Sequence, residues 1–381
     1  MNYFRIVVFA VLTCALAAPT VASAQAACNW GDAAWVRAGD FNGDGLTDVV
    51  SPNGVNLDTY LSSGQDFVYK RWTLPPGASF GDPGYTWIGD FNGDGKADLA
   101  WLSADKKTVY LLLSNASGTN VDFKFQSWTL DFAVEGSAAY TWAADFTGDG
   151  KTDIATANGG NVYVYVSNGN GFAPRAKWTG QAQWGAAEYT LIGDFDGNGK
   201  KDIASANGGN VHILLSQGNS FNPVIWQVPN NWGSPGYTWA ADFSGDGKTD
   251  IASAANGNIY MHISTGNSFS NSTATVPNTW GSSAYTWVAD FNGDGKADIA
   301  SASGGNVYMN FWNGSSFRSA TWTTIGNAWG SSGYTWANHF ANPKSIAIAS
   351  ANNCQFLVLL PTPAGAPQRF ASQIWFDWAP Q

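Results

Sequence analysis

The sequence predicts an all-β fold, a closed ring of seven four-stranded antiparallel blades, and three observations predict it. An acidic nine-residue segment, DFNGDGKAD at 90–98, recurs with small changes at 40–48, 145–153, 194–202, 242–250 and 290–298. A seventh stretch, 339–347, keeps the same flanks but has lost the acids. Measured from Asp40 through Asp90, Asp145, Asp194, Asp242 and Asp290 to His339, the intervals are 50, 55, 49, 48, 48 and 49 residues. A four-stranded unit at that period is the signature of a β-propeller, in which each blade hides its apolar faces against its neighbours.

Residues 140–178 show how one unit is built. YTWAADF leads into the acidic loop, KTDIATA follows, then NGG, NVYVYVS, NGNG and FAPRAKWT. Apolar residues alternate or cluster over short runs bounded by Asn-Gly and Gly-Asn, which predicts four short strands joined by tight turns. Gly and Asn interrupt every window long enough for a helical period, so helix content is expected to be near zero. Residues 25–381 are expected to be a single propeller that leaves no length for a second domain.

Residues 1–24 have the form of an export signal: Arg5, then the apolar run IVVFAVLTCALAA, then Ala22-Ser23-Ala24 before Gln25. The run is too short for a membrane span. A secreted or periplasmic protein without membrane insertion is therefore expected. Removing the signal leaves Cys28 and Cys354. An oxidising compartment would let them form a disulfide joining the region before blade one to blade seven; two unpaired thiols are the alternative. The net charge of −10, with 18 basic residues in no run, argues against nucleic acid as a partner.

Within the loop, positions 1, 3, 5 and 9, such as Asp90, Asn92, Asp94 and Asp98, carry oxygen side chains, and position 7 can offer a carbonyl. Glycines at 4 and 6 let the backbone curl. Three carboxylates in one turn repel one another unless a cation sits among them. Oxygen ligands without His or Cys select Ca²⁺. The plain alternative is an Asp/Asn-Gly turn that needs no metal. Six copies that keep acids at 1 and 9 while position 3 varies favour calcium. Even Asp196 and Asn198 exchange acid and amide with the charge count kept.

The loop DFNGDGxxD between strands resembles the FG-GAP (VCBS-type) repeats of integrin α-chain-like seven-bladed propellers, over essentially the whole chain after residue 24. The resemblance carries a calcium set onto each intact loop: Asp40, Asn42, Asp44, Leu46 and Asp48; Asp90, Asn92, Asp94, Lys96 and Asp98; Asp145, Thr147, Asp149, Lys151 and Asp153; Asp194, Asp196, Asn198, Lys200 and Asp202; Asp242, Ser244, Asp246, Lys248 and Asp250; Asp290, Asn292, Asp294, Lys296 and Asp298. About six structural calcium ions are implied. His339, Ala341, Pro343 and Ala347 depart from the pattern, so no calcium is expected in the seventh blade.

A second repeat precedes each loop, as in NWGSPGYTW at 231–239, TWGSSAYTW at 279–287, AWGSSGYTW at 328–336 and QWGAAEYTL at 183–191. The YTW residues are expected in the inter-blade core. Trp184, Trp232, Trp280 and Trp329 admit two readings, inter-blade packing or aromatic plates for sugar stacking. Some propellers of this repeat type are lectins, so the expectation is a carbohydrate-binding protein with repeated inter-blade sites for glycans or cell-surface glycoconjugates. The alternatives are an integrin-like protein-binding module and, behind it, a polysaccharide-active enzyme. No catalytic residue can be nominated: His212 and His262 fall in predicted third strands, His339 in the altered loop, and the acids outside the loops are scattered.

Overall fold

The computed structural model describes residues 30–375 apart from 121, 180–182, 230–231, 278–280, 324–329, 353–354 and 362–369. Residues 1–24, expected to be an export signal, and Cys28, Cys354, Trp280 and Trp329 lie outside the described residues. The chain forms seven separate four-stranded antiparallel sheets, and no α-helix occurs among the described residues. Blade one comprises Arg37–Gly39, Asp48–Asn53, Asn56–Ser62 and Phe67–Thr73. The others follow at 86–129, 141–179, 190–227, 238–275, 286–323 and 335–375. Every blade takes its strands from one continuous stretch.

The strand order puts the two repeated motifs on opposite rims. A single 3-10 turn, such as Pro235–Tyr237, leads into each first strand from blade two onward. In blades one to six the first strand ends in the acidic loop on the far rim, and the second returns to a tight turn beside the 3-10 turns. In blade five that turn is Asn256-Gly257, with φ of 51° and 78°. Two consecutive positive φ values match a type I′ hairpin, whose twist suits the flanking strands.

Second strands are buried along nearly their whole length, as in Asp250–Ala255, because both faces meet neighbouring blades. Fourth strands alternate more openly, as in Phe269–Thr275. The core is divided into seven apolar clusters, one at each blade junction. Position 2 of the loop supplies an anchor to each: Phe41, Phe91, Phe146, Phe195, Phe243 and Phe340 are fully buried, and Phe291 nearly so.

Hydrogen bonds repeat around the ring with the same step. The Tyr hydroxyls of the YT pairs donate to the WG-type glycine carbonyls of the next junction: Tyr85 to Gly136, Tyr140 to Gly185, Tyr189 to Gly233, Tyr237 to Gly281, Tyr285 to Gly330 and Tyr334 to Gly31, at 2.5–3.3 Å. The last of these joins blade seven to blade one. Thr47 N–H to the His339 carbonyl at 2.8 Å and Ser62 Oγ–H to the Phe340 carbonyl close the same seam.

The seventh blade replaces the acidic loop by more strand. Thr335–Asn342 and Ser345–Asn352 run on to a pair at Asn342 and Ser345, with an irregularity after Asn338. His339 thus sits on a strand rather than in a loop. Tyr334→Phe removes a closing hydrogen bond and leaves the Gly31 carbonyl without that donor. It should lower stability by about 1 kcal/mol in urea unfolding, with the fold unchanged by circular dichroism.

Candidate functional site

The six loops share one geometry. The first Asp carboxylate gathers the amides of positions 4, 5 and 6; in the second loop Gly93, Asp94 and Gly95 donate to Asp90 at 2.6, 3.1 and 2.7 Å. Gly93 and Gly95 have φ of 80° and 83°, which side-chain-bearing residues rarely adopt. The ninth-position carboxylate is the deep one. Asp48, Asp98, Asp153, Asp202, Asp250 and Asp298 have no exposure. Each accepts the amide of the loop phenylalanine and the amide that ends the third strand; for Asp48 these are Phe41 at 2.9 Å and Ser62 at 2.8 Å.

Burial and then the neighbouring carboxylates push these acids upward, against the pull of the amides. Asp48 rises to about 8, Asp98, Asp153, Asp202 and Asp298 to about 7, and Asp250 to about 6. In the fourth loop, carboxylate oxygens of Asp194, Asp196 and Asp202 lie within 4.8 Å of one another. A carboxylate oxygen holding one amide keeps a second lone pair. This all-oxygen donor set, crowded and short of positive charge, fits a hard divalent cation.

The other predicted positions fall around that set. Asn42, Asn92, Thr147, Ser244 and Asn292 stand at position 3 of their loops. Position 7 can contribute only a backbone carbonyl, since its side chains are lysine or leucine and offer no oxygen. Lys96, Lys151 and Lys248 pair with Asp94, Asp149 and Asp246 at 3.8, 3.0 and 2.6 Å. The Lys200 chain lies over Gly148 and Gly218, and that of Lys296 over Gly245. Leu46, the sole position-7 residue without a charge, reaches toward Gly64.

On the opposite rim the WG glycine is a three-way junction. Gly233 N–H donates to Ser253 Oγ at 2.8 Å and its carbonyl accepts from Tyr189. A Cβ there would stand 1.9 Å from the Ala254 carbonyl oxygen, so no larger residue fits. Trp184 and Trp232 are half-buried rather than free plates. Trp184 packs on Trp142 with centroids 5.6 Å apart. Trp232 lies 4.9 Å from His262 and donates to the Gly208 carbonyl at 2.8 Å. His262 itself is buried, shares a 2.6 Å hydrogen bond with Asn271, and is pushed down by burial. His212 is likewise lowered by burial, on its third strand.

Blade one breaks this pattern. Trp35 stands where the latch tyrosine belongs and Arg37 where blades two, three, five, six and seven have tryptophan. Phe80 replaces the WG tryptophan at the next junction. Arg37 spans the junction instead, donating to the carbonyls of Ala34, Val36, Pro83 and Thr86 at 2.7–3.2 Å. The smaller Phe80 leaves open what Trp232 covers at Gly208. The result is a cleft of about 220 Å³ lined by Gly31, Asp32, Trp35, Pro52, Asn53, Gly54 and Phe80. Trp35 and Phe80 rings are 6.1 Å apart. Sequence reasoning passed over these residues, although each departs from the repeat.

The family model for the FG-GAP-like repeat matches residues 40–101, 90–156, 145–204, 194–252 and 242–300. A search of curated proteins finds no match. Among solved structures, the chain is similar to an Agrocybe aegerita lectin that recognises non-reducing terminal N-acetylglucosamine, at 21% identity and TM-score 0.62, over 83% of this chain and 85% of that one. It is also similar to part of the Photorhabdus luminescens Tc holotoxin pore, at 16% identity and TM-score 0.50, over 87% of this chain and 15% of that one. At these identities the likeness is one of fold.

The buried acids set a sign for pH. Their folded values lie above the ordinary aspartate value of 3.8, so the metal-free fold holds protons that the unfolded chain has released. That contribution is fully present below about 4 and is lost as pH rises from there through the folded values of about 6 to about 8. In a chelator the thermal midpoint should fall across this window, and excess calcium should flatten the slope by taking the place of the protons. A midpoint indifferent to both would contradict the assignment.

Proposed function

The chain belongs to the FG-GAP-like repeat family, and from that membership we propose that it is an exported, calcium-stabilised propeller that binds carbohydrate on the rim opposite the acidic loops. The cleft between blades one and two carries this reading. Its aromatic wall suits the C–H face of a sugar ring, and its rim supplies hydrogen-bonding groups for hydroxyls, including the carboxylate of exposed Asp32. The fold likeness to a lectin supports it and makes a terminal N-acetylglucosamine the first probe.

Calcium in this reading is structural. Bound among the loop acids, it would neutralise a buried carboxylate and fix the first and third strands of its blade. Each site that binds only the folded state adds ~2.7 kcal/mol when free calcium is 100 times its dissociation constant. The half-buried Trp184 and Trp232 give weaker, repeated contacts at other junctions, and repetition on one rim favours a multivalent glycan. A Cys28–Cys354 bond would staple the seam. Two residues beyond each cysteine, Trp30 and Phe356 meet edge to face at 5.1 Å.

The test is a glycan array on the calcium-loaded protein, followed by titration of the best ligand. Trp35→Ala and Phe80→Ala should each weaken binding about tenfold or more, and Trp184→Ala and Trp232→Ala less. A silent array from folded protein would overturn the carbohydrate reading and turn the search to protein partners.

A further inference from the structure

We propose that the six loops are not equivalent cation sites: the loop at 194–202 fills first, and the position-seven lysines of the third and fifth loops hold those two back as built-in competitors. This rests on the reading that the loops take calcium. All six loops carry three acids, so the difference lies in placement rather than in charge count.

In five loops the third acid is at position 5, near the outer edge. The Asp149 and Asp246 side chains are 39% and 40% exposed, with the ammonium groups of Lys151 and Lys248 at 3.0 and 2.6 Å. Those ion pairs neutralise part of the charge a cation would need, and a cation entering must compete with them. Lys96 stands further off, 3.8 Å from Asp94, and the first loop has Leu46 instead of a lysine. In the fourth loop the acid is at position 3. Asp196 joins Asp194 and Asp202 in the carboxylate group whose oxygens lie within 4.8 Å of one another, the one such group among the described residues. Position 5 is Asn198, whose amide donates to Asp196 at 3.0 Å and to the Ser216 carbonyl at 2.9 Å. Lys200 therefore has no position-5 acid to pair with.

The experiment is calcium titration of the chelator-stripped full chain by calorimetry and equilibrium dialysis. One site should saturate ahead of the rest. The charge-conserving double variant Asp196→Asn/Asn198→Asp should abolish that first step while leaving total binding capacity unchanged. The converse double variant, Asn92→Asp/Asp94→Asn, should raise the early sites to two, and it decides the question if the first variant does not fold. Lys248→Met should tighten one late site by about threefold, the scale of a lost exposed ion pair. A single class of sites in the native chain, or an early step that survives the fourth-loop exchange in a folded variant, overturns the proposal. A folded chain that binds no calcium overturns the metal reading beneath it, which is a separate failure.

Discussion

A carboxylate sealed from solvent sits at the hinge of six of the seven blades, and the geometry of each blade follows from it. Asp98 holds the amide of Phe91, where the loop begins, and that of Ser114, where the third strand ends. One side chain thereby fixes the inner strand, the loop and the third strand together. It also places the loop phenylalanine in the junction core. Desolvating an anion is costly, and two amides offset only part of that cost when other acids lie nearby. The seventh blade shows the other solution: Ala347 stands at the ninth position and the strands extend instead, so a neutral ladder pair does the joining.

The junctions between blades rest on small polar groups as much as on apolar area. A tyrosine hydroxyl, a glycine with no room for a side chain and a strand hydroxyl form one unit, repeated with little change. Where blade one gives up the tyrosine, Arg37 takes over with four backbone carbonyls, and burial lowers its pKa. The same exchange opens the cleft beside Trp35. That cleft is thus a by-product of how that junction is held.

Much of this was legible in the sequence because the informative chemistry is local and repeated. The spacing of Asp90, Asn92, Asp94 and Asp98 sets out the loop, and the Asn-Gly turns mark the hairpins. The 48–55-residue interval counts the blades. What remained hidden depends on neighbours in space. The glycine of each WG pair gives no sign in sequence that a carbonyl from another strand fills the place of its Cβ. Trp184 and Trp232 read equally well as plates or packing until the faces they touch are known. Trp35, Arg37 and Phe80 look like drift in a repeat, and only their meeting at one junction gives them meaning. The lysines at position 7 look interchangeable, yet Lys248 pairs with an acid and Lys200 has none at position 5 to meet.

Because each blade is cut from one uninterrupted stretch, from 37–73 to 335–375, the seam of the ring falls in the space between two blades and not within a sheet. Among the described residues no strand is lent across it. A unit of this kind can be copied in tandem and inserted whole, since the copy brings its own strands, its own loop and both halves of the latches it needs. Under load, the same architecture would part by releasing the hydrogen bonds and apolar contacts that close the seam while every sheet stays intact, so the ring could open and reclose without any blade being rebuilt.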